Sequence, residues 1–172
     1  MGNIQIENNH FDYYTANKDW AGDRTITNAQ EIVQYHNSST IRIWYNEQNY
    51  DYDPHWHSAL EIIMPIENYY DVQINEVFYR MNPGEFLIIP PGKVHRLMAP
   101  KTGRRFIILF DVSLVMKLKG RSSIQALFVQ PLHVTKESCP QIYNDVYQIL
   151  LPITNEYFNE DEYAELTIHA AM

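Results

Sequence analysis

At 172 residues, 45% of them apolar and thirteen of them tyrosine, the chain has the length and composition of one folded domain with a substantial core, which excludes a disordered polypeptide. Its formal charge of −8 would repel a phosphate backbone and argues against nucleic acid as a direct ligand. The single cysteine, Cys139, excludes an intrachain disulfide, and the absence of a signal-peptide pattern or a bilayer-length apolar run gives a cytoplasmic expectation with no membrane partner.

Residues 1–38 are polar with scattered apolar positions such as Ile4, Ile6 and Trp20, and are expected to form an arm with one short element at AQEIVQYH. From Thr40 the stretch TIRIWYNE alternates Ile41, Ile43 and Tyr45 against Arg42, Trp44 and Asn46, which predicts a strand with one buried face. HSALEIIMPIE is apolar on both parities from Ala59 to Ile66, as expected of a strand with one face inside a barrel and the other covered. DVQIN and EVFYRM flank a tight turn at Asn75 and Glu76, NPG supplies a further turn, and EFLIIP and RRFIILFDV read as two more strands. Short strands punctuated in this way predict a small sandwich or barrel.

Beyond Val112 the periods become helical. SLVMKLKGRSS reads as a short helical or irregular segment, and a longer helix is predicted from Ser138 as cap, Pro140 in the first turn and Gln141 as capping-box partner. Ile142, Val146, Ile149 and Ile153 share a face of it, for which core packing and a subunit interface are equally good readings, and Pro152 is expected to kink or end it. A second helix is predicted from Asn159, with Glu162 three residues on; it reaches Met172 without a terminator, from which the chain is expected to be a fragment.

The chemistry concentrates in PHWHSALE, Pro54 to Glu61. On an unbroken strand His55, His57 and Glu61 have equal parity and would project to one interior, and two imidazoles with a carboxylate suit zinc, iron, nickel or manganese. Downstream, GEFLIIPPGKVH adds His95 after a Pro-Pro-Gly turn. The alternative to a metal is a polar pocket in which His55, His57, Glu61 and His95 bond to one another, to a small molecule or to water. Lys93 shares the parity of His95 and is expected to point inward, as are Ala59, Ile63 and Leu97; Arg96, Lys101, Arg104 and Arg105 are expected on a solvated face beside a turn. His10, His36, His133 and His169 have no partner at a recognisable spacing.

HWHSALE together with GEFLIIPPGKVH resembles the two sequence boxes of the cupin family, small double-stranded β-barrels (jelly rolls) whose first box carries HxH and Glu metal ligands and whose second carries another His. The resemblance implies His55, His57, Glu61 and His95 as ligands of a divalent metal (Zn, Ni, Fe or Mn) if one is bound. The last Asn of the second box falls on Ala99, and the glycines that bracket the first box fall on Asn49 and Asn68, departures that bear on the metal more than on the barrel. A polar arm, a barrel with these boxes and two trailing helices resemble, more narrowly, the sensor half of AraC-type transcription regulators. That resemblance covers most of residues 40–172. It implies a mainly β fold, a cupin-like barrel at 39–112 and a C-terminal helical hairpin within a helical linker and dimerisation region at 113–172. It further implies a small-molecule effector, such as a sugar, bound by His55, His57, Glu61, Lys93 and His95 without catalysis or a required cofactor. A homodimer would form through the helices, and DNA would be contacted only by a C-terminal domain absent from this sequence. The competing expectation is a metal-dependent cupin enzyme, a dioxygenase or isomerase.

Overall fold

The computed structural model describes residues 25–35, 40–113 and 128–158. Two antiparallel sheets face each other. In chain order the strands are β1 (Thr25–Thr27), β2 (Gln30–Ile32), β3 (Ile41–Asn46), β4 (Tyr52–His55), β5 (Leu60–Glu67), β6 (Tyr70–Ile74), β7 (Val77–Met81), β8 (Phe86–Ile89), β9 (His95–Met98), β10 (Arg104–Phe110) and β11 (Leu132–Val134). One sheet has the order β11-β8-β5-β10-β3 and the other β4-β9-β6-β7, so from β3 to β10 the chain crosses between sheets at every step but the β6–β7 hairpin, in the manner of a jelly roll.

Side-chain alternation explains why this arrangement is stable. Ile63, Leu87, Ile89 and Ile107 from the five-stranded sheet meet Tyr70, Val72, Ile74, Met81 and Leu97 from the other, forming an apolar barrel interior. The opposite parity of the five-stranded sheet, with Ile41, Ile43, Ile62, Met64, Phe86, Ile88, Phe106 and Ile108, forms a second core beneath helix α1 (Pro140–Phe158). β5 therefore needs apolar residues on both parities, as its sequence has. β3 departs from expectation: the side opposite Ile41 and Ile43 is not solvated, because Arg42 and Asn46 are also buried, Trp44 packs at the edge of the interior core, and the barrel closes over that face.

The turns fall where the residues permit left-handed backbone. Asn75 (φ 54°) turns the β6–β7 hairpin, Asn68 (φ 63°) stands where a bracketing glycine was expected, and Gly92 (φ 75°) follows the two prolines. Three strands appear outside the expected barrel limits. β11 pairs with β8 from beyond residue 112, and β1–β2 form a hairpin inside the expected arm, turning on Asn28 and Ala29 with φ of 51° and 64°.

Helix α1 also corrects local expectations. The Tyr143 amide donates to the Cys139 carbonyl (2.8 Å), which makes Cys139 the N-cap; Ser138 Oγ instead bonds the Thr135 amide (3.1 Å), and Gln141 reaches forward to Asp145 (3.0 Å). Pro152 does not end the helix, which runs on to Phe158 because Leu150, Ile153 and Phe158 pack on the sheet on both sides of it. The expected apolar stripe splits: Ile153 is buried and Val146 packs against the core, but Ile142 and Ile149 are 43% and 45% exposed. The face that docks is rotated toward Tyr143, Tyr147 and Leu150. The segment from Leu114, the second helix from Asn159, and His10, His36 and His169 lie outside the described residues.

Candidate functional site

PHWHSALE is not one strand. β4 ends at His55, residues 58–59 form a bend, and β5 starts at Leu60, so His55 and Glu61 sit on opposite sheets. The expected convergence along one parity is therefore replaced by convergence across the barrel. β4 pairs with β9 so that His55 lies opposite His95, and Gly92 donates its amide to the His57 carbonyl (2.8 Å), tying the second box to the first.

All four side chains are buried. His57 Nε2 lies 3.1 Å and His95 Nε2 2.9 Å from the same oxygen, Oε2 of Glu61. Each ring is steered from its other nitrogen. Nδ1 of His55 faces the Asp53 carbonyl (2.8 Å), Nδ1 of His57 the Ala59 carbonyl (3.2 Å) and Nδ1 of His95 the Lys93 carbonyl (2.8 Å). A carbonyl oxygen only accepts, so each Nδ1 donates to it and each ring turns its Nε2 inward. Ligand atoms of His55, His57 and His95 all lie within 4.8 Å of one another.

Imidazole nitrogens and a carboxylate meeting in a buried space need positive charge among them, as protons on Nε2 or as a cation. Burial pushes the Glu61 carboxyl up, but the charge of and hydrogen bonds to His95 and His57 outweigh it and hold the group well below the usual carboxylate range. Rings held by Nδ1–H to backbone carbonyls, with Nε2 turned toward the centre, are the usual outer support of a metal site, so the donor set fits a divalent transition metal.

The other expected site residues divide. Ala59, Ile63 and Leu97 are buried, the last two in the barrel interior. Lys93 is partly exposed in the turn before β9, and the atom it gives to the centre is its carbonyl oxygen. Arg96 pairs with Asp51 (3.2 Å) and Arg104 with Glu67 on the surface, as expected. Arg105 does not belong to that solvated group: it is buried, donates to Asn46 Oδ1 and the Gln48 carbonyl, and lies against the Tyr70 ring with 4.3 Å from guanidinium carbon to centroid.

A family model for the AraC-like ligand binding domain matches residues 37–155. The chain belongs to this family. No curated protein sequence matches this AraC-like domain. Among solved structures, it is similar to a cupin-2 domain protein from Shewanella frigidimarina (19% identity, 44% of this chain and 82% of that one, TM-score 0.38). It is also similar to a cupin-2 barrel protein from Salinispora arenicola (13% identity, 50% and 76%, TM-score 0.40). A third is Bacillus subtilis oxalate decarboxylase, a protein with Mn(II) centres (19% identity, 60% and 31%, TM-score 0.39).

One buried acid of the AraC-like domain was not anticipated. Glu31, on β2, places Oε2 3.4 Å from His55 Nε2. Its sequence signal is faint: in TNAQEI it stands between Gln30 and Ile32, both exposed, and nothing local separates it from a surface glutamate. The site it joins lies on strands more than twenty residues away.

Proposed function

We propose that this AraC-like domain is the effector-sensing and dimerisation unit of a transcription regulator, with a small polar effector recognised inside the barrel at His55, His57, Glu61 and His95. The observation that carries the reading is the clustering of the His55, His57 and His95 rings, with two of their Nε2 atoms on Glu61 Oε2, a ready binding centre in the interior of a ligand-binding fold. His55, His57, His95 and Glu61 would hold a divalent transition metal. Bound there, such an ion supplies a Lewis-acidic anchor for an oxygen of the effector.

The chain's own residues do the rest. The carbonyls of Asp53, Ala59 and Lys93 fix the rings, and Glu61 keeps its negative charge, so an effector meets a preorganised polar patch beside the apolar lining of Ile63 and Leu97. Sugars, with several hydroxyls on a compact frame, suit such a mixed lining. The exposed Ile142 and Ile149 on the outer face of α1 are the proposed dimer contact, and effector binding changes the regulator only through its differential affinity for two arrangements of the dimer. DNA contact in this reading belongs to helix-turn-helix units and not to this acidic domain.

Thermal-shift titration with a panel of sugars and small hydroxy acids, with and without added Zn2+ or Ni2+, tests the sensor. At least one compound should stabilise the fold saturably, by about 2.7 kcal/mol at a hundredfold excess over Kd, and His57→Ala should abolish the effect. No response from any compound counts against the site as a sensor. Steady turnover of a compound by the metal-loaded chain would replace the sensor with a metal-dependent enzyme, a reading favoured by the coordination positions that three imidazoles and one carboxylate leave open. In sedimentation velocity the chain should run as a dimer, and the Ile142→Asp, Ile149→Asp double variant as a monomer.

A further inference from the structure

The β1–β2 hairpin docks in an unusual way. Of its strand residues, Thr25, Ile26, Thr27, Gln30 and Ile32 are exposed, and Glu31 alone is buried, at 3% exposure. A hairpin ordinarily attaches through its apolar side chains, yet here Ile26 and Ile32 are 46% and 56% exposed and a carboxylate enters the barrel instead. Two backbone bonds aim it: the Glu31 amide donates to the Trp56 carbonyl (2.8 Å), and the Trp56 amide donates to the Ala29 carbonyl (2.9 Å). Trp56 lies between His55 and His57, so the hairpin is fastened to the one residue that separates two of the inward rings.

Donors that share one ion at bonds of about 2.0–2.2 Å stand roughly 3 to 3.5 Å apart. The carboxylates reach the centre from two sides at about that spacing: Glu61 stands 2.9 and 3.1 Å from His95 and His57, and Glu31 3.4 Å from His55, against three rings whose ligand atoms lie within 4.8 Å of one another.

We propose that Glu31 is a fifth donor of the centre, so that a divalent transition metal held by His55, His57, His95 and Glu61 is also held by the hairpin. This rests on the cation reading given above and adds to it a second carboxylate from a segment outside both histidine boxes. With two carboxylates and three neutral imidazoles the donor set balances a dication's charge, and five donors suit Ni2+ or Mn2+ as well as Zn2+. Linkage follows: whatever the ion contributes to hairpin docking, the docked hairpin contributes equally to ion affinity.

The test compares wild type and Glu31→Gln, both freed of metal by chelator and shown to have the same circular dichroism spectrum, in titration calorimetry with Zn2+ and Ni2+. Glu31→Gln should bind at least tenfold more weakly than wild type. In parallel, the Glu31 and Trp56 amides, both bonded across the hairpin junction, should exchange more slowly with solvent when metal is added to wild type, and should not respond in the variant. Equal affinity of the two proteins, or amide exchange indifferent to metal, would overturn the role of Glu31 while leaving a four-donor site intact. Absence of stoichiometric metal in the wild type itself would remove the cation reading, and the fifth donor with it.

Discussion

Glu61 shows how much one side chain can carry. Its Oε2 meets two imidazole Nε2 atoms in a place without access to water, and its charge is what makes convergence of the rings tolerable. Removing one partner of a buried ionic set leaves the others uncompensated, so in chelator-treated protein Glu61→Gln should lose about 3–5 kcal/mol by urea denaturation. A loss below ~1 kcal/mol would mean that water or a rotated ring takes over its role. The identities of the four central residues were legible in PHWHSALE and PPGKVH because histidine pairs and a Pro-Pro-Gly turn stand out locally. Their geometry was not. Parity along one strand suggested convergence, whereas the chain bends at residues 58–59 and the histidines meet Glu61 from the opposite sheet through His95, which lies opposite His55. Glu31 and Arg105 escaped for a related reason: the burial of a charged side chain is decided by what other segments place around it, and neither TNAQEI nor TGRRFI records that.

At the scale of elements, six of the strands of residues 40–110 were legible from apolar patterning and from turn residues that accept positive φ, which are local properties, whereas the short β4 and β9, paired with each other at His55 and His95, were not. The face of α1 was only half legible. Ile142, Val146, Ile149 and Ile153 fit a helical stripe, but Tyr143, Tyr147, Leu150, Leu151, Tyr157 and Phe158 fit a wider one, and the tyrosines win because their rings cover more of the sheet: Phe86 and Tyr143 stack at 5.8 Å, and Tyr143 and Tyr147 at 5.6 Å. The two faces should separate on mutation. Leu150→Ala removes a fully covered side chain and should cost about 2–5 kcal/mol, whereas Ile142→Ala should stay within about 0.5 kcal/mol in the monomer. Guanidinium denaturation of both variants checks the contrast, and equal losses would put the docked face where the sequence stripe placed it. Pro152 teaches the same lesson from the other side, since packing at Ile153 and Phe158 carries the helix past a residue that cannot donate to it.

Across the whole molecule, the barrel interior is polar at two levels and apolar between them. Leu109 of β10 pairs with Glu61, while Arg105 stands four residues along the same strand, about 13 Å away at strand rise. Burial pushes the Arg105 guanidinium down from its usual value, and Asn46, the Gln48 carbonyl and the Tyr70 ring hold it there. Arg105→Met should therefore cost about 1–3 kcal/mol by taking a charged donor from the Gln48 carbonyl and from Asn46 Oδ1, which keeps only the Gln48 amide, with little effect on metal affinity at the distant centre; a parallel loss of metal binding would mean that the two levels are one site.

The five-stranded sheet has a further consequence, because it is dry on both sides. Ile63 and Ile107 look into the barrel while their chain neighbours Ile62 and Ile108 lie in the core under α1, so one layer of backbone is all that separates a guest in the barrel from Leu150 and Ile153 of the helix. A close-packed layer compresses little. It works as a diaphragm: a guest that presses on its inner surface has no water to displace on the far side, only the helix.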